Sequence, residues 1–228
     1  MGSDLQQHSF DIGHILDSIA VMINMQRLED KTALGQISVE EDPFRVLIAT
    51  ILSARTKDVT TLAASERLFT KYPNVYSLAM AKVDAVRKLI KPVGFYKTKA
   101  PRIINVAKLL VKTYGGKVPE SFHKLLELPG VGRKTANCVL VYGFRKPAIP
   151  VDTHVHRISN RLGLCQTRSA EETEIELMRK IDSRFWLDIN ELFVRFGQEV
   201  CKPIGPKCNI CTLNKECKYA LENTKQKT

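Results

Sequence analysis

Leu128-Pro129-Gly130-Val131-Gly132-Arg133-Lys134-Thr135-Ala136-Asn137 decides the fold of this 228-residue chain. An apolar run, Phe122 to Leu128, leads into it at helical spacing. Pro129 stops that run, because proline lacks the N–H and clashes with the preceding turn. Gly130 and Gly132 permit backbone angles and close approaches that a side chain forbids. A second apolar run, Thr135 to Tyr142, restarts the helix at once. The pattern predicts a helix, a tight hairpin and a helix over residues 122–142. The first N–H groups of the second helix have no partner inside it. They suit a phosphate oxygen, and such contacts position a protein without reading bases.

Two ionisable residues stand close to this unit. Lys134 lies at the start of the second helix, and Asp152 follows eighteen residues on, in Val151-Asp152-Thr153-His154. An unperturbed lysine, pKa ~10.4, is almost wholly protonated at neutral pH. A nucleophilic amine needs that value lowered. The helix N-terminus, Arg133 and desolvation all push Lys134 down, and Asp152 pushes it back up. The sequence leaves that contest open. Asp152 precedes a helical run and reads as its N-cap, a role worth ~1 kcal/mol. A capped carboxylate stays ionised and is available as a base or to stabilise positive charge. His154 reads as a satisfied helix residue.

Outward from the hairpin, apolar residues recur at helical spacing along almost the whole chain. Helices are expected over Ile12–Leu28, Phe44–Ser53 (opened by Asp42-Pro43) and Val59–Tyr72 with Asp58 as N-cap. Short runs follow at Val75–Ala81 and Val83–Ile90, then Lys99–Tyr114, closed by Gly115-Gly116. Beyond the hairpin come Asp152–Leu162, Ala170–Ile181 and Trp186–Val200. Ala33–Asp42 reads as a connection, and Pro92-Val93-Gly94-Phe95-Tyr96 as a turn with an aromatic pair at its tip. No segment shows sustained alternation with hairpin turns. The expected fold class is all-α, built by pairwise helix packing. Pro147 to Pro150 is the best candidate for a domain boundary.

Composition sets the class of partner. Hydrophobic residues make up 44%, which supports a folded chain. Thirty-five Lys and Arg against twenty-four Asp and Glu give a formal net charge of +11. That field attracts polyanions, nucleic acid first. No apolar run reaches the ~20 residues of a membrane span. Met1 to Phe10 is polar, without a signal-peptide core. The expected location is intracellular, where disulfides are uncommon.

The six cysteines therefore need another use. Cys138 and Cys165 read as small buried residues. Cys201, Cys208, Cys211 and Cys217 form C-x6-C-x2-C-x5-C within seventeen residues. Four thiolates at that spacing make a soft, four-coordinate site that zinc or an iron–sulfur cluster satisfies. Lys202, Lys207, Lys215 and Lys218 are interleaved with them, on a loop able to present rigid phosphate contacts.

Together the Leu-Pro-Gly-Val-Gly-Arg-Lys-Thr-Ala-Asn stretch, the Val-Asp-Thr-His stretch and the cysteine spacing resemble endonuclease III. That is a family of base-excision-repair DNA glycosylases in the helix-hairpin-helix superfamily. The resemblance runs from about Phe44 to Cys217. It implies two helical domains flanking a DNA-binding cleft. Residues 36–146 would form a six-helix domain holding the hairpin. Residues 1–35 and 147–228 would form a discontinuous domain carrying a [4Fe-4S] cluster on Cys201, Cys208, Cys211 and Cys217. The damaged pyrimidine would be flipped out of the duplex. Lys134 would attack the sugar and expel the base, Asp152 would assist, and β-elimination would break the strand on the 3′ side.

Gly130, Val131, Gly132 and Arg133 are the expected contacts to DNA at the hairpin, with Lys202 and Lys207 at the cysteine loop. Two residues depart from the family pattern. Arg55, in Leu52-Ser53-Ala54-Arg55, replaces a Gln that fills the gap left by the flipped base. Phe95, in Gly94-Phe95-Tyr96, replaces a Leu wedge. Arg55 is donor-only and suits guanine acceptors on the opposite strand. The expected partner is double-stranded DNA with damaged or abasic sites, bound by a monomer in the cytoplasm and nucleoid, with no membrane contact. The alternatives are a relative acting on mismatched thymine or 8-oxoguanine, and a non-catalytic DNA-binding protein.

Overall fold

A computed structural model describes residues 11–23, 31–38 and 42–225. Every regular element among the described residues is helical. The first is α1 (Ile12–Met22), capped by Asp11, whose Oδ1 accepts from His14 N at 3.1 Å. The expected helix ran to Leu28, and its last five residues lie outside the described ones.

Ala33–Asp42 was expected as a connection, but it contains a short helix, α2 (Ala33–Ile37). Tertiary partners explain it. Thr32 caps it through Gly35 N at 3.2 Å, and the buried Glu191 carboxylate accepts from Thr32 N and from Thr32 Oγ1. Next is α3 (Pro43–Ser53), with Pro43 in its first turn and Asp42 Oδ1 accepting from Phe44 N at 2.9 Å. In α4 (Asp58–Lys71) the N-cap is Lys57, and Asp58 is already the first helical residue. Its carboxylate still suits the positive helix end, but it does not cap, contrary to expectation.

The short α5 (Val75–Ala79) and α6 (Val83–Leu89) lead to α7 (Tyr96–Tyr114). This helix starts three residues before Lys99, because Phe95 takes the left-handed region (φ 58) and its carbonyl accepts from Lys99 N at 3.0 Å. Gly115 ends it at φ 59. The hairpin unit follows as α8 (Phe122–Leu126) and α9 (Arg133–Cys138). A π-helical turn over Val139–Gly143 continues α9. The chain closes with α10 (Thr153–Leu162), α11 (Ala170–Lys180), α12 (Trp186–Glu199) and α13 (Lys218–Lys225).

Two hydrophobic clusters hold these helices. In the first, α3 is central: Val46, Leu47, Ile48 and Ala49 are fully buried, packed with residues of α4, α7, α8 and α9. Leu34 and Ala148 also pack there, and Cys138 is enclosed as expected. The second gathers Ile15 and Ile19 of α1, Val155 and Ile158 of α10, and Ile189, Phe193 and Phe196 of α12. Each buried Leu, Ile or Phe contributes ~1.5–3 kcal/mol relative to exposure. A polar seam joins the clusters. Tyr142 Oη bonds to Asn190 Oδ1 at 2.9 Å and Glu191 Oε2 at 3.1 Å, while Asn190 Nδ2 donates to the Pro150 carbonyl at 2.7 Å. That seam fixes the hairpin unit against α12, beside the cavity described next.

Candidate active site

Lys134 and Asp152 line one cavity of about 760 Å³, together with Arg55, Asp58, His154 and Asn190. That is within the range of ligand pockets, roughly 300–1,000 Å³. Lys134 and Asp152 each come from a helix end. Lys134 is the second residue of α9, reached through the hairpin. Gly130 is required there for its backbone angle. Its φ is +78, and a Cβ would come within 2.4 Å of the Arg102 side chain. Gly132 differs from the expectation. Its φ of −100 suits any residue, and a Cβ there would meet nothing within 4 Å. Space outside the helix start, not backbone freedom, is what Gly132 leaves.

Asp152 caps α10 as expected. Its Oδ1 accepts from His154 N at 2.8 Å and Val155 N at 2.9 Å. Both bonds go to Oδ1, so the cap does not use Oδ2. His154 both lines the cavity and finds a partner, with Nδ1 3.1 Å from the Arg157 guanidinium. Burial holds the imidazole below its ordinary range, against the pull of Asp152, and Arg157 adds to the depression. It is therefore neutral at pH 7.

The contest at Lys134 resolves upward. Burial pulls the ammonium down, but Cys138, Asp152 and Asp58 raise it above the ordinary lysine value. Burial pushes the Cys138 thiol up as well, while the Lys134 ammonium beside it draws it down. Arg133 does not push back from its own side. Its guanidinium is bound to Glu174, Nη2 to Oε1 at 2.9 Å, with Glu171 at 3.4 Å and the Phe122 ring 5.1 Å away. Its side chain thus bridges α9 to α11.

The structure brings Arg55, which lines the cavity, together with Phe95. The Arg55 Cζ lies 5.6 Å from the Phe95 ring centroid, and Phe95 is 61% exposed. Lys202 and Lys207 are exposed, on the backbone turn that follows α12. Arg161 fixes that turn by donating to the Lys202 carbonyl at 2.7 Å and the Pro203 carbonyl at 2.9 Å.

Cys201, Cys208, Cys211 and Cys217 line a second cavity, between α10, the end of α12 and α13. Arg161 Nη1 donates to Cys201 Sγ at 3.4 Å. Burial raises the Cys211 and Cys217 thiols, and mutual repulsion with Cys201 and Cys208 raises them further. Four sulfurs with a guanidinium and main-chain N–H groups turned toward them suit a soft, positively charged group. Among the described residues, no three His, Cys, Asp or Glu are disposed to hold a single metal ion.

Sequence reasoning missed the place of Asp58 and Gln198. Both line the cavity with Lys134 and Asp152, and Gln198 Nε2 reaches Asp58 Oδ2 at 3.4 Å. The signal was present in Arg55-Thr56-Lys57-Asp58, a four-residue polar break between two apolar helices.

An all-helical protein with a lysine and a carboxylate on two helix ends, beside a glycine hairpin, belongs to the class of helix-hairpin-helix DNA repair proteins. Residues 48–183 match the family model of the HhH-GPD superfamily base excision DNA repair proteins, and the chain belongs to that superfamily. It is 52% identical to endonuclease III of Thermotoga maritima over 180 residues, 79% of this chain and 84% of that one. Among solved structures it is similar to a non-covalent endonuclease III–DNA complex, with TM-score 0.82 and 35% identity, covering 94% of this chain and 97% of the other. A trapped endonuclease III–DNA covalent intermediate, an estranged-adenine complex, gives TM-score 0.79 and 34% identity over 93% and 97%. The chain is accordingly an endonuclease III-type DNA glycosylase and abasic-site lyase of base excision repair.

Proposed function

We propose that the protein excises oxidised pyrimidines from duplex DNA and then cuts the strand 3′ to the abasic site. The observation that carries this reading is the meeting of Lys134 and Asp152 in one cavity, with Oδ2 of Asp152 not engaged by the cap. A flipped nucleotide places its C1′ carbon there. The Lys134 amine forms a bond to C1′ as the N-glycosidic bond breaks, and the base leaves with a proton. Ring opening gives a Schiff base. Loss of a C2′ proton then expels the 3′ phosphate, and water frees Lys134. Lys134 rests as an ammonium, so it must lose a proton first. Asp152 takes that proton or stabilises the positive charge that builds at the sugar.

A covalent enzyme–DNA species, named for a protein of similar sequence and fold, supports this route. The residues around it take supporting roles. Gly130 and Gly132 present main-chain N–H groups to phosphate, Val131 closes the hairpin by donating its own N–H to the Leu128 carbonyl at 3.1 Å, and Lys202 and Lys207 add contacts from the cysteine loop. Arg55 and Phe95 enter the duplex. Residues 36–146 and residues 1–35 with 147–228 are the two domains, with DNA between them, and the protein works as an intracellular monomer. Cys201, Cys208, Cys211 and Cys217 would hold a [4Fe-4S] cluster. The cluster supplies no step of the reaction; it ties the loop that carries Lys202 and Lys207.

Borohydride trapping on abasic duplex DNA tests the proposal. A covalent adduct is expected with the wild type and none with Lys134→Ala. Absence of the adduct in the wild type refutes the Schiff-base route.

A further inference from the structure

Lys99 takes no part in the chemistry above, yet it is only 4% exposed within α7. Its ammonium Nζ donates to the Leu52 carbonyl at 2.8 Å, the Ala54 carbonyl at 2.6 Å and Thr56 Oγ1 at 3.3 Å. The two carbonyls belong to the C-terminal end of α3, where such groups lack helical partners and the helix dipole is negative. Among the described residues no carboxylate pairs with Lys99. Burial brings its pKa down to about 8, with Arg102 adding to the fall, so at pH 7 the ammonium persists. A charge held in an apolar helix face costs stability that a methionine would not. What the charge supplies is a set of donors at one point.

That point joins two loops. Thr56 Oγ1 also accepts from Gly94 N at 3.2 Å. Gly94 lies so close to the other loop that a Cβ would come within 2.5 Å of the Arg55 carbonyl oxygen. One loop carries Arg55 and the other Phe95, and both residues hold left-handed backbone, φ 53 and 58. Such angles are uncommon for residues with side chains. They persist where the surroundings over-determine them. Lys99, Thr56 and Gly94 form that surrounding.

We propose that Lys99 is a positioning residue whose ammonium fixes Arg55 and Phe95 as one rigid probe of the strand facing a flipped nucleotide. The role rests on the repair activity proposed above, and Lys99 itself touches neither DNA nor a reacting atom.

Two substrates separate probing from chemistry. Single-stranded abasic DNA has no facing strand, so its cleavage needs Lys134 and Asp152 but no probe. Abasic duplex needs both. Lys99→Met removes the donors and keeps the apolar stem. Thr56→Ala removes the bridge to Gly94 and leaves the lysine in place. Each is expected to lower kcat/KM on the duplex about tenfold or more, mostly through KM, while single-strand cleavage stays within about twofold. A 2-aminopurine facing the abasic site should brighten on wild-type binding and brighten less with either variant. Equal losses on both substrates, or no loss on the duplex, overturn the proposal. If Lys99→Met does not fold, Thr56→Ala carries the same prediction. If the wild type cleaves neither substrate, the repair activity fails and the positioning role falls with it. Cleavage by the wild type with an unchanged Thr56→Ala profile refutes the positioning role alone.

Discussion

The Arg55 guanidinium lies over the Phe95 ring, Cζ to centroid 5.6 Å, although the two residues sit in different loops. A cation–π contact at an exposed site contributes ~0.5–1 kcal/mol. It holds the guanidinium beside the cavity that Lys134 and Asp152 line. Arginine donates in a rigid fork and pairs best with the O6 and N7 acceptors of guanine. Arg55→Gln exchanges that fork for a shorter amide that can both donate and accept. The ratio of lesion cleavage opposite guanine to cleavage opposite adenine should therefore fall in the variant, by about tenfold if a bidentate pair is lost. An unchanged ratio would mean that Arg55 does not read the facing base.

The two hairpin glycines should separate stability from binding. Gly130→Ala forces a Cβ into the left-handed region and against Arg102, 2.4 Å away. The backbone term is ~1–2 kcal/mol, and the exposed Arg102 side chain can swing aside. Gly132→Ala meets neither obstacle, since φ is −100 and nothing lies within 4 Å. Urea unfolding should show a clear loss of midpoint for Gly130→Ala and little for Gly132→Ala. DNA affinity should reverse the contrast, with the folded Gly132→Ala weakened where a methyl group meets phosphate. If both variants bind as the wild type does, phosphate does not approach the hairpin.

How far the sequence could be read depended on the distance over which each residue finds its partner. The hairpin was legible because proline, glycine and the restarted apolar run act within a few residues. The Asp152 cap was legible for the same reason. Arg133 was not, because Glu174, the residue that engages it, lies forty-one positions on, in another helix. Nor was α2, whose helical turn depends on Glu191, 159 positions away. Lys99 occupies the buried stripe of α7 with Ile103, Ala107 and Leu110. The spacing placed it there, but a lysine on such a stripe reads as solvent-facing, since lysines are almost never fully buried. Its acceptors, the end carbonyls of α3, leave no mark in the sequence.

The bridge from Arg133 to Glu174 yields a test of whether Arg133 also contacts DNA. Glu174 is 7% exposed in its side chain, and Arg133 is 39% exposed. Arg133→Met strands a nearly buried carboxylate, and one-sided removal from such a pair costs about 2–4 kcal/mol, near the lower range for buried pairs. Arg133→Met with Glu174→Gln should recover most of that loss in urea unfolding. The slope of DNA affinity against salt should stay at its wild-type value in the folded double variant. A slope reduced by about one would instead count Arg133 among the phosphate contacts.

The pH dependence of the reaction follows from the direction of the Lys134 shift. Asp152 and Asp58 help to raise its pKa above the ordinary lysine value. The reactive amine is then a small fraction at neutral pH, and that fraction grows about tenfold per pH unit below the pKa. Single-turnover base release with enzyme in excess should rise with pH through the neutral and alkaline range. Asp152→Asn removes one of the charges that raise Lys134, so its pKa falls and the rising limb moves to lower pH. The maximum rate should fall as well, by about 10²–10⁴-fold, the usual contribution of a general base. Asp58→Asn should shift the limb in the same direction with a smaller loss of rate, because Asp58 acts on Lys134 less strongly than Asp152 does. A wild-type rate that is flat with pH, or a limb that moves to higher pH in Asp152→Asn, would show that proton loss from Lys134 does not gate the reaction.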